Sequence, residues 1–366
     1  MLEAHWDNLL ILQTSFLGDT ILTLPLITAA RQRFPVRRLS VVCQPLSAEL
    51  LQEHPAIDEI IIDDKKDKDR GLGGLRRKAA TLAAKKFTLA LSPHKSLRSA
   101  LMLYWAGIPL RVGFRQSRGW WFFHLRVRRD SARHDVERNL SLLDAFGPAA
   151  EEKSSGLDLP ASPVSQGVVD GKLQALGVNM TKIIVGVNPG SIWPTKRWSP
   201  DGFAGLIQIL RQRLDCQVLL FGGPDDADVV RQVLDRCEHG AISLVGKISL
   251  GELAAAIRRC RVFVTNDSAP MHVAVATGVP TVAVFCATTP DLGFYPYSHN
   301  AIVVEKKLSC RPCTSHGGRR CPLGHAACIH QIHPEIVAEA VQRLLRAEGG
   351  RVTVPSERFR PEFQTL

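Results

Sequence analysis

Residues 262–285 read VFVTNDSAPMHVAVATGVPTVAVF. Val262–Thr265 is a short, β-branched apolar run, the pattern of a strand buried on both faces. It runs into Asp267 and Ser268, favoured helix N-cap types, with Pro270 near the first helical position. Ala269–Thr277 then reads as an alanine-rich helix stopped by Gly278. Thr281–Phe285 reads as a second buried strand. Strand, helix and strand in about two dozen residues make a βαβ unit, which implies parallel strands. A helix N-terminus at a strand's end also offers free N–H groups and the positive end of the helix dipole to a diphosphate. Every α/β protein has such junctions, so the junction alone does not settle a ligand.

The same alternation extends in both directions. Asn8–Gln13, Leu39–Cys43, Ile57–Ile62 and Phe87–Leu91 read as strands in the first half, with helical spacing at Thr20–Phe34 and Asp135–Phe146. Lys182–Asn188 and Val218–Phe221 are further strands in the second half, and Gly202–Leu214, Ala227–Cys237, Leu250–Arg259 and Pro334–Arg346 are helical. Between the two arrays, Ala149–Gln166 is rich in Ser, Pro and Glu without a period. The sequence therefore predicts an α/β chain of two doubly wound parallel sheets facing a central cleft. The first domain is expected over residues 1–170, with a linker at about 149–180. The second is expected over 181–346, and 347–366 reads as a polar tail. Ligands of such sheets bind beyond the carboxyl ends of the strands, so the loops there carry the search for function.

The 366 residues suit two domains. Hydrophobic residues at 45% and charged residues at 22% exclude disorder over most of the chain. No apolar run reaches the roughly 18–20 residues of a membrane span. The longest candidate, Leu17–Ala30, contains Asp19 and Pro25. No secretory signal is evident, which points to the cytosol and to nine cysteines that are not a disulfide framework. The net charge of +11 is uneven: Lys65–Arg138 holds 19 Lys/Arg against 5 Asp/Glu, a local excess of +14. An anionic partner or a merely solvated surface both account for such a block.

Three further loops follow predicted strands. Thr14–Thr20 contains one acid, Asp19, which reads either as a helix cap or as a general base. Asn188–Trp198 combines Gly190, Ser191, Thr195, Lys196 and Arg197, donors suited to phosphate oxygens, without the spacing of a Walker A loop. Phe221–Asp226 offers Gly222 for close backbone approach and Asp225 and Asp226 as acceptors for ribose hydroxyls, or else as acids complementing a helix start. Separately, Cys310, Cys313, Cys321 and Cys328 form a C-x2-C-x7-C-x6-C cluster in the loop 310–328. Four close thiols suit a structural Zn or Fe site; disulfides or free thiols are the alternative.

Taken together, LQTSFLGDTILTLPL near the start, VGVNPGSIWPTKRWSP after the linker and the opening segment resemble the ADP-heptose:lipopolysaccharide heptosyltransferases, glycosyltransferase family 9. HKSLRSALMLYWAGIPLRVGF and SCRPCTSHGGRRCPLGHAAC look like heptosyltransferase II in particular. The resemblance implies a GT-B fold and an inverting transferase that needs no metal for catalysis. It implies ADP-heptose as donor and the heptose/Kdo inner core of lipopolysaccharide as acceptor. By the same resemblance Asp19 matches the base and Lys196 the phosphate-binding lysine. Ser191, Asp267, Ser268, Ala269 and His272 match donor contacts; the family's ribose-binding glutamate has no counterpart near Gly222, where Asp225 or Asp226 is the substitute. Lys95, Arg98, Arg111, Arg115 and Arg118, in the basic block, are the candidate acceptor contacts. Trp120, Trp121, Phe122 and Phe123 form either an apolar rim that meets lipid or part of the core. The expected setting is the cytoplasmic face of an inner membrane with anionic lipid. Another GT-B enzyme, such as a different nucleotide-sugar transferase, an autotransporter heptosyltransferase or an epimerase, is the competing class. A nucleic-acid binder is disfavoured, because it has no need of the Asp19, Lys196 and Asp267 loops together.

Overall fold

The computed structural model describes residues 6–147, 156–347 and 361–366. The chain divides into two compact units, Met1–Leu159 and Pro160–Leu366.

The first unit holds β1 (Asn8–Leu12), β2 (Arg38–Cys43), β3 (Glu59–Ile62), β4 (Leu89–Ser92), β5 (Leu110–Phe114) and β6 (Leu125–Val127). They form one sheet in the order β3-β2-β1-β4-β5-β6, and every pair is parallel. The strand order reverses between β1 and β4, where Leu10 lies beside Ser40 on one side and Ala90 on the other. Leu9–Leu12 are fully buried, as expected of a strand covered on both faces. Each such Leu or Ile contributes roughly 1.5–3 kcal/mol by leaving water.

The second unit holds β7 (Ile183–Asn188), β8 (Cys216–Leu220), β9 (Ile242–Ser243), β10 (Val262–Asn266), β11 (Thr281–Phe285), β12 (Ala301–Glu305) and β13 (Glu362–Thr365). Their order is β13-β12-β11-β10-β7-β8-β9, again parallel throughout. This is the order of the first sheet with one strand added at an edge, and its reversal falls between β7 and β10. Val185, Val187, Val262, Val264, Val282 and Val284 share one core cluster with Trp198 and Phe203. Two doubly wound sheets are thus what the alternating pattern implied.

Several elements differ from the sequence reading. The helix expected at Thr20–Phe34 is two, Leu17–Ile21 and Leu24–Arg33. Pro25 lacks the N–H that would bond to Ile21, so the ladder breaks there. The helix expected over Asp135–Phe146 tightens into a 3-10 turn from Ser141 onward. The stretch read as linker contains the helix Pro163–Ala175. Its start is a Ser-Pro pair: the Ser162 hydroxyl accepts the Ser165 N–H at 3.1 Å, and Pro163 takes the first position. The same device opens the helix Pro200–Arg213, where Ser199 accepts the Gly202 N–H. The polar tail supplies β13, held by an Arg343–Glu362 ion pair at 2.6 Å and by the Lys307 N–H on the Leu366 carbonyl. The rest of the expected linker start and tail, residues 148–155 and 348–360, lies outside the described residues.

Candidate active site

In each sheet the point where strand order reverses leaves a crevice beyond the strand ends. The loops after β1 and β4 meet in the first unit, and those after β7 and β10 in the second.

In the first unit the chain leaves β1 at Gln13 and turns through Thr14 and Ser15 into the short helix that holds Asp19. Three neighbours fix this turn. The Gln44 amide donates to the Thr14 and Ser15 carbonyls, and the Lys65 ammonium donates to the Thr14 carbonyl at 2.5 Å. The Thr14 hydroxyl lies 3.1 Å from His94 Nδ1, which is 2.9 Å from the Ser99 hydroxyl. Burial and the cations Lys65 and Lys95 push the His94 pKa down to about 4, so this imidazole is neutral at ordinary pH.

Asp19 is partly exposed. Its Oδ2 accepts the Ser15 hydroxyl and, at 3.3 Å, the Phe16 N–H. No bond to Oδ1 forms among the described residues. The N-cap of that helix is Phe16, and Asp19 is its third residue, so Asp19 is not the cap itself; one carboxylate oxygen reaches back to the cap's N–H and the other is left for chemistry. Burial raises the Asp19 pKa, as does the nearby Asp135 carboxylate; the Ser15 and Phe16 bonds and the Arg129 cation work against this.

The sequence reading did not single out Arg129 and Asp135, which bear on Asp19, or Arg138, which pairs with Asp135. Asp135 is 5% exposed and pairs with both Arg129 and Arg138. Lys95, on the loop after β4, feels Arg129, Asp135, Arg138 and Asp19, and desolvation lowers its pKa. The sequence signal was the run R-x5-D-x2-R inside the basic block, which composition alone presents as undifferentiated charge.

The other candidate acceptor cations divide. Arg115 and Arg118 are exposed, and the Arg118 N–H bonds to the Lys95 carbonyl. Arg98 is held in an ion pair with the fully buried Asp63 at 2.8 Å and by the Asp69 carbonyl. Arg111 is 9% exposed, and its guanidinium donates to the Phe122 and Ile108 carbonyls and faces His124. Arg98 and Arg111 thus serve the fold of the first unit. The aromatic run divides too. Phe123 is 2% exposed and belongs to the core, while Trp120 and Trp121 are 44% and 53% exposed.

In the second unit the switch point carries a buried ion pair. Lys196 Nζ lies 2.7 Å from Asp267 Oδ2. Lys196 stands on the loop after β7 and Asp267 at the end of β10, so the pair spans the reversal. The same Asp267 oxygen accepts the Thr288 hydroxyl at 2.6 Å. Asn266 joins the two loops: its amide donates to the Pro189 carbonyl, and its oxygen accepts the Trp198 N–H. Ser268 and Ala269 begin the helix Ala269–Ala276 beside the pair. His272, on that helix, is buried, and its Nδ1 has no hydrogen-bond partner among the described residues. Burial and Lys196 push its pKa down to about 3.

Ser191 is buried, and its carbonyl accepts from Arg197. Asp226 caps its own turn through the Gly223 N–H at 3.1 Å and packs its carboxylate on Gly190. Asp225, beyond Gly222, is exposed.

The nine cysteines are free thiols. Burial pushes Cys328 up to about 11, whereas backbone N–H groups of Ala326 and Leu323 hold Cys321 below its usual value. Among the described residues no group of three or more His, Cys, Asp or Glu side chains is arranged to hold a metal ion. Cys310, Cys313 and Cys321 nevertheless all bear electrostatically on Cys328, so the loop gathers the four thiols.

Two Rossmann-like parallel sheets in one chain, each with charged loops at its switch point, are the two halves of the GT-B fold. Residues 75–324 match the model of glycosyltransferase family 9 (heptosyltransferase), and the chain belongs to that family. Lipopolysaccharide heptosyltransferase 2 of Salmonella typhimurium is 28% identical over 351 residues, 93% of this chain and 99% of that protein. The crystal structure of a family 9 glycosyl transferase from Veillonella parvula superposes with a TM-score of 0.82 at 28% identity, covering 94% of this chain and 98% of that one. The structure of ADP-heptose lps heptosyltransferase II of E. coli shares the fold, with a TM-score of 0.76 at 24% identity over 92% of this chain and 98% of that one.

Proposed function

We propose that this heptosyltransferase moves L-glycero-D-manno-heptose from ADP-heptose to the inner core of lipopolysaccharide, with inversion at the anomeric carbon. The observation that carries the mechanism is Asp19, with Oδ2 occupied and Oδ1 free at the switch point of the first sheet. In this reading Oδ1 takes the proton of an acceptor hydroxyl. The hydroxyl oxygen forms a bond to C1 of the donor, the bond from C1 to the diphosphate oxygen breaks, and ADP leaves with the electron pair. Lys196, the first turn of the helix Ala269–Ala276 and His272 meet the growing charge on the diphosphate. Preorganised donors of this kind act where charge develops. Lys196 is held against Asp267 before ADP arrives, so its position is set in advance. Lys95, Arg115 and Arg118 are the cations left to meet acidic groups of the acceptor.

The same reading places the first unit on an anionic membrane surface. No helix among the described residues is long and apolar enough to cross a membrane. Instead Tyr104, Phe122, Trp121 and Trp120 form a chain of ring contacts at 4.9, 5.5 and 5.9 Å. Arg111 lies over Tyr104 and Arg126 over Trp120. The exposed rings of Tyr104, Trp120 and Trp121, with the Arg126 guanidinium over Trp120, suit the boundary between headgroups and acyl chains.

The test is incubation of the purified chain with ADP-heptose, ADP-glucose or UDP-sugars and defined truncated core acceptors, with the product read by mass spectrometry. Heptose addition from ADP-heptose alone is expected. Asp19→Asn should lower turnover by about 10²–10⁴ with folding intact; turnover near wild type removes Asp19 as the base.

A further inference from the structure

The cysteine-rich loop lies against the donor half-site through two ties. The first is to the lysine turn. Gly318 accepts the Thr195 N–H at 3.2 Å, and its own N–H donates to the Thr195 hydroxyl at 2.8 Å. Gly317, at φ +86°, packs its bare Cα on Lys196, the residue after Thr195. A Cβ there would stand 2.8 and 2.9 Å from Lys196 Cγ and Cδ, and 3.0 Å from Trp193 Cβ. The second tie is to the end of β11. The Cys313 N–H donates to the Ala287 carbonyl at 3.0 Å, and the Ala287 N–H to the Thr195 carbonyl at 3.2 Å. Arg311, its side chain 2% exposed, pairs with Glu305 at 2.9 Å and donates to the Thr288 carbonyl at 2.5 Å. The Thr288 hydroxyl in turn donates to Asp267. The loop therefore bears on both members of the Lys196–Asp267 pair.

We infer that residues Arg311, Gly317 and Gly318 are positioning residues for the donor diphosphate: they hold the stem of Lys196 and the carboxylate of Asp267 in the geometry that receives it. This rests on the reading of Lys196 as the phosphate cation. A lysine side chain is long and rotamer-rich, and fixing it in advance removes its ordering cost from binding. Glycine at 317 meets two demands at once. The left-handed backbone suits it, and the Lys196 stem occupies the space a side chain would need. Gly324, in the same loop, shares only the first: its φ is +76°, and nothing lies within 4 Å of a Cβ built there.

The two glycines give a controlled experiment on the full chain, with ADP affinity by titration calorimetry and folding by thermal melting. Gly317→Ala should weaken ADP binding about tenfold, in the range of coupling between residues in contact. Gly324→Ala carries similar backbone strain and should stay within about twofold of wild type. In a Lys196→Ala background, where the crowded stem is gone, Gly317→Ala should have no further effect. Equal losses in the two glycine variants, or an undiminished loss without Lys196, overturn the inference. If Lys196→Ala alone leaves ADP affinity unchanged, it is the phosphate reading that fails. Should Gly317→Ala not fold, Thr195→Val removes the Gly318 acceptor from the opposite side without adding bulk. It is expected to weaken ADP binding several-fold, and unchanged affinity would count against the tie.

Discussion

At the scale of single residues, the charge state of Asp19 governs the proposed chemistry. Burial is the largest influence on it and raises its pKa; Asp135 adds in the same direction, and Arg129 opposes. A base must be ionised, so the acid limb of kcat/KM should lie above the usual carboxylate range. Asp135→Asn removes one like charge and leaves Arg129 less neutralised. Both changes favour ionised Asp19, so the limb should move to lower pH, and a limb that moves up or stays fixed contradicts the assignment. Stability carries the opposite sign. A carboxyl whose folded pKa is raised holds its proton more tightly folded than unfolded, so its contribution falls as pH rises through the folded value. At pH 7 Asp19→Asn should therefore melt no lower than wild type while it loses turnover. Asp19, Lys196 and Asp267 were legible in the sequence because each follows a recognisable strand in a short loop. Arg111 looks free in a basic block, whereas the fold spends its guanidinium on the Phe122 and Ile108 carbonyls. Arg129 and Asp135 became meaningful only once folding placed them near Asp19.

At the scale of elements, legibility followed apolar runs bounded by turn residues, although β12 escaped the sequence reading despite the burial of Ala301–Val304. β1, β2, β7, β10 and β11 are near-continuous apolar runs, and those short runs bounded by turn residues located them. β5 reads LRVGF, broken by Arg111 and Gly113, and β6 has three residues. β9 has two residues, and β13 reads EFQT with three of its four residues exposed. None of these presents an apolar run long enough to separate from a loop. The helix Gly71–Ala84 was hidden by the glycines of its first turn. β13 matters because it covers β12, which is otherwise an apolar edge with its N–H and C=O groups unpaired on one side. Such edges template association. A chain ending at residue 347 should accordingly melt several degrees lower and elute partly as oligomer in size-exclusion chromatography. A monomer with an unchanged melting midpoint would show that β13 is dispensable.

For the whole molecule, charge is distributed by unit. The stretch Lys65–Arg138 carries +14 while the chain carries +11, so the remainder is slightly acidic. The first unit thus has the field for an anionic surface, and its exposed rings at Tyr104, Trp105, Trp120 and Trp121 supply an apolar contact in the same stretch. A hollow of about 410 Å³ lined by Arg37, Arg38, Asp58 and Glu59 has no such rings around it and mixes both signs of charge, so it offers no comparable surface. The two contributions differ in their response to salt. Screening shortens the reach of exposed charges from about 10 Å at 0.1 M to about 3 Å at 1 M salt, whereas apolar insertion is insensitive to it or strengthened. Sedimentation with vesicles separates them. The full chain should bind vesicles containing anionic lipid at low salt and largely spare neutral ones. Raising salt should reduce binding to a residue that depends on the rings, and a Trp120→Ala, Trp121→Ala double variant should remove that residue while retaining most low-salt binding. Equal binding to neutral and anionic vesicles would mean that the basic block serves the acceptor alone. Full retention by the double variant at high salt would return the two tryptophans to an intramolecular role.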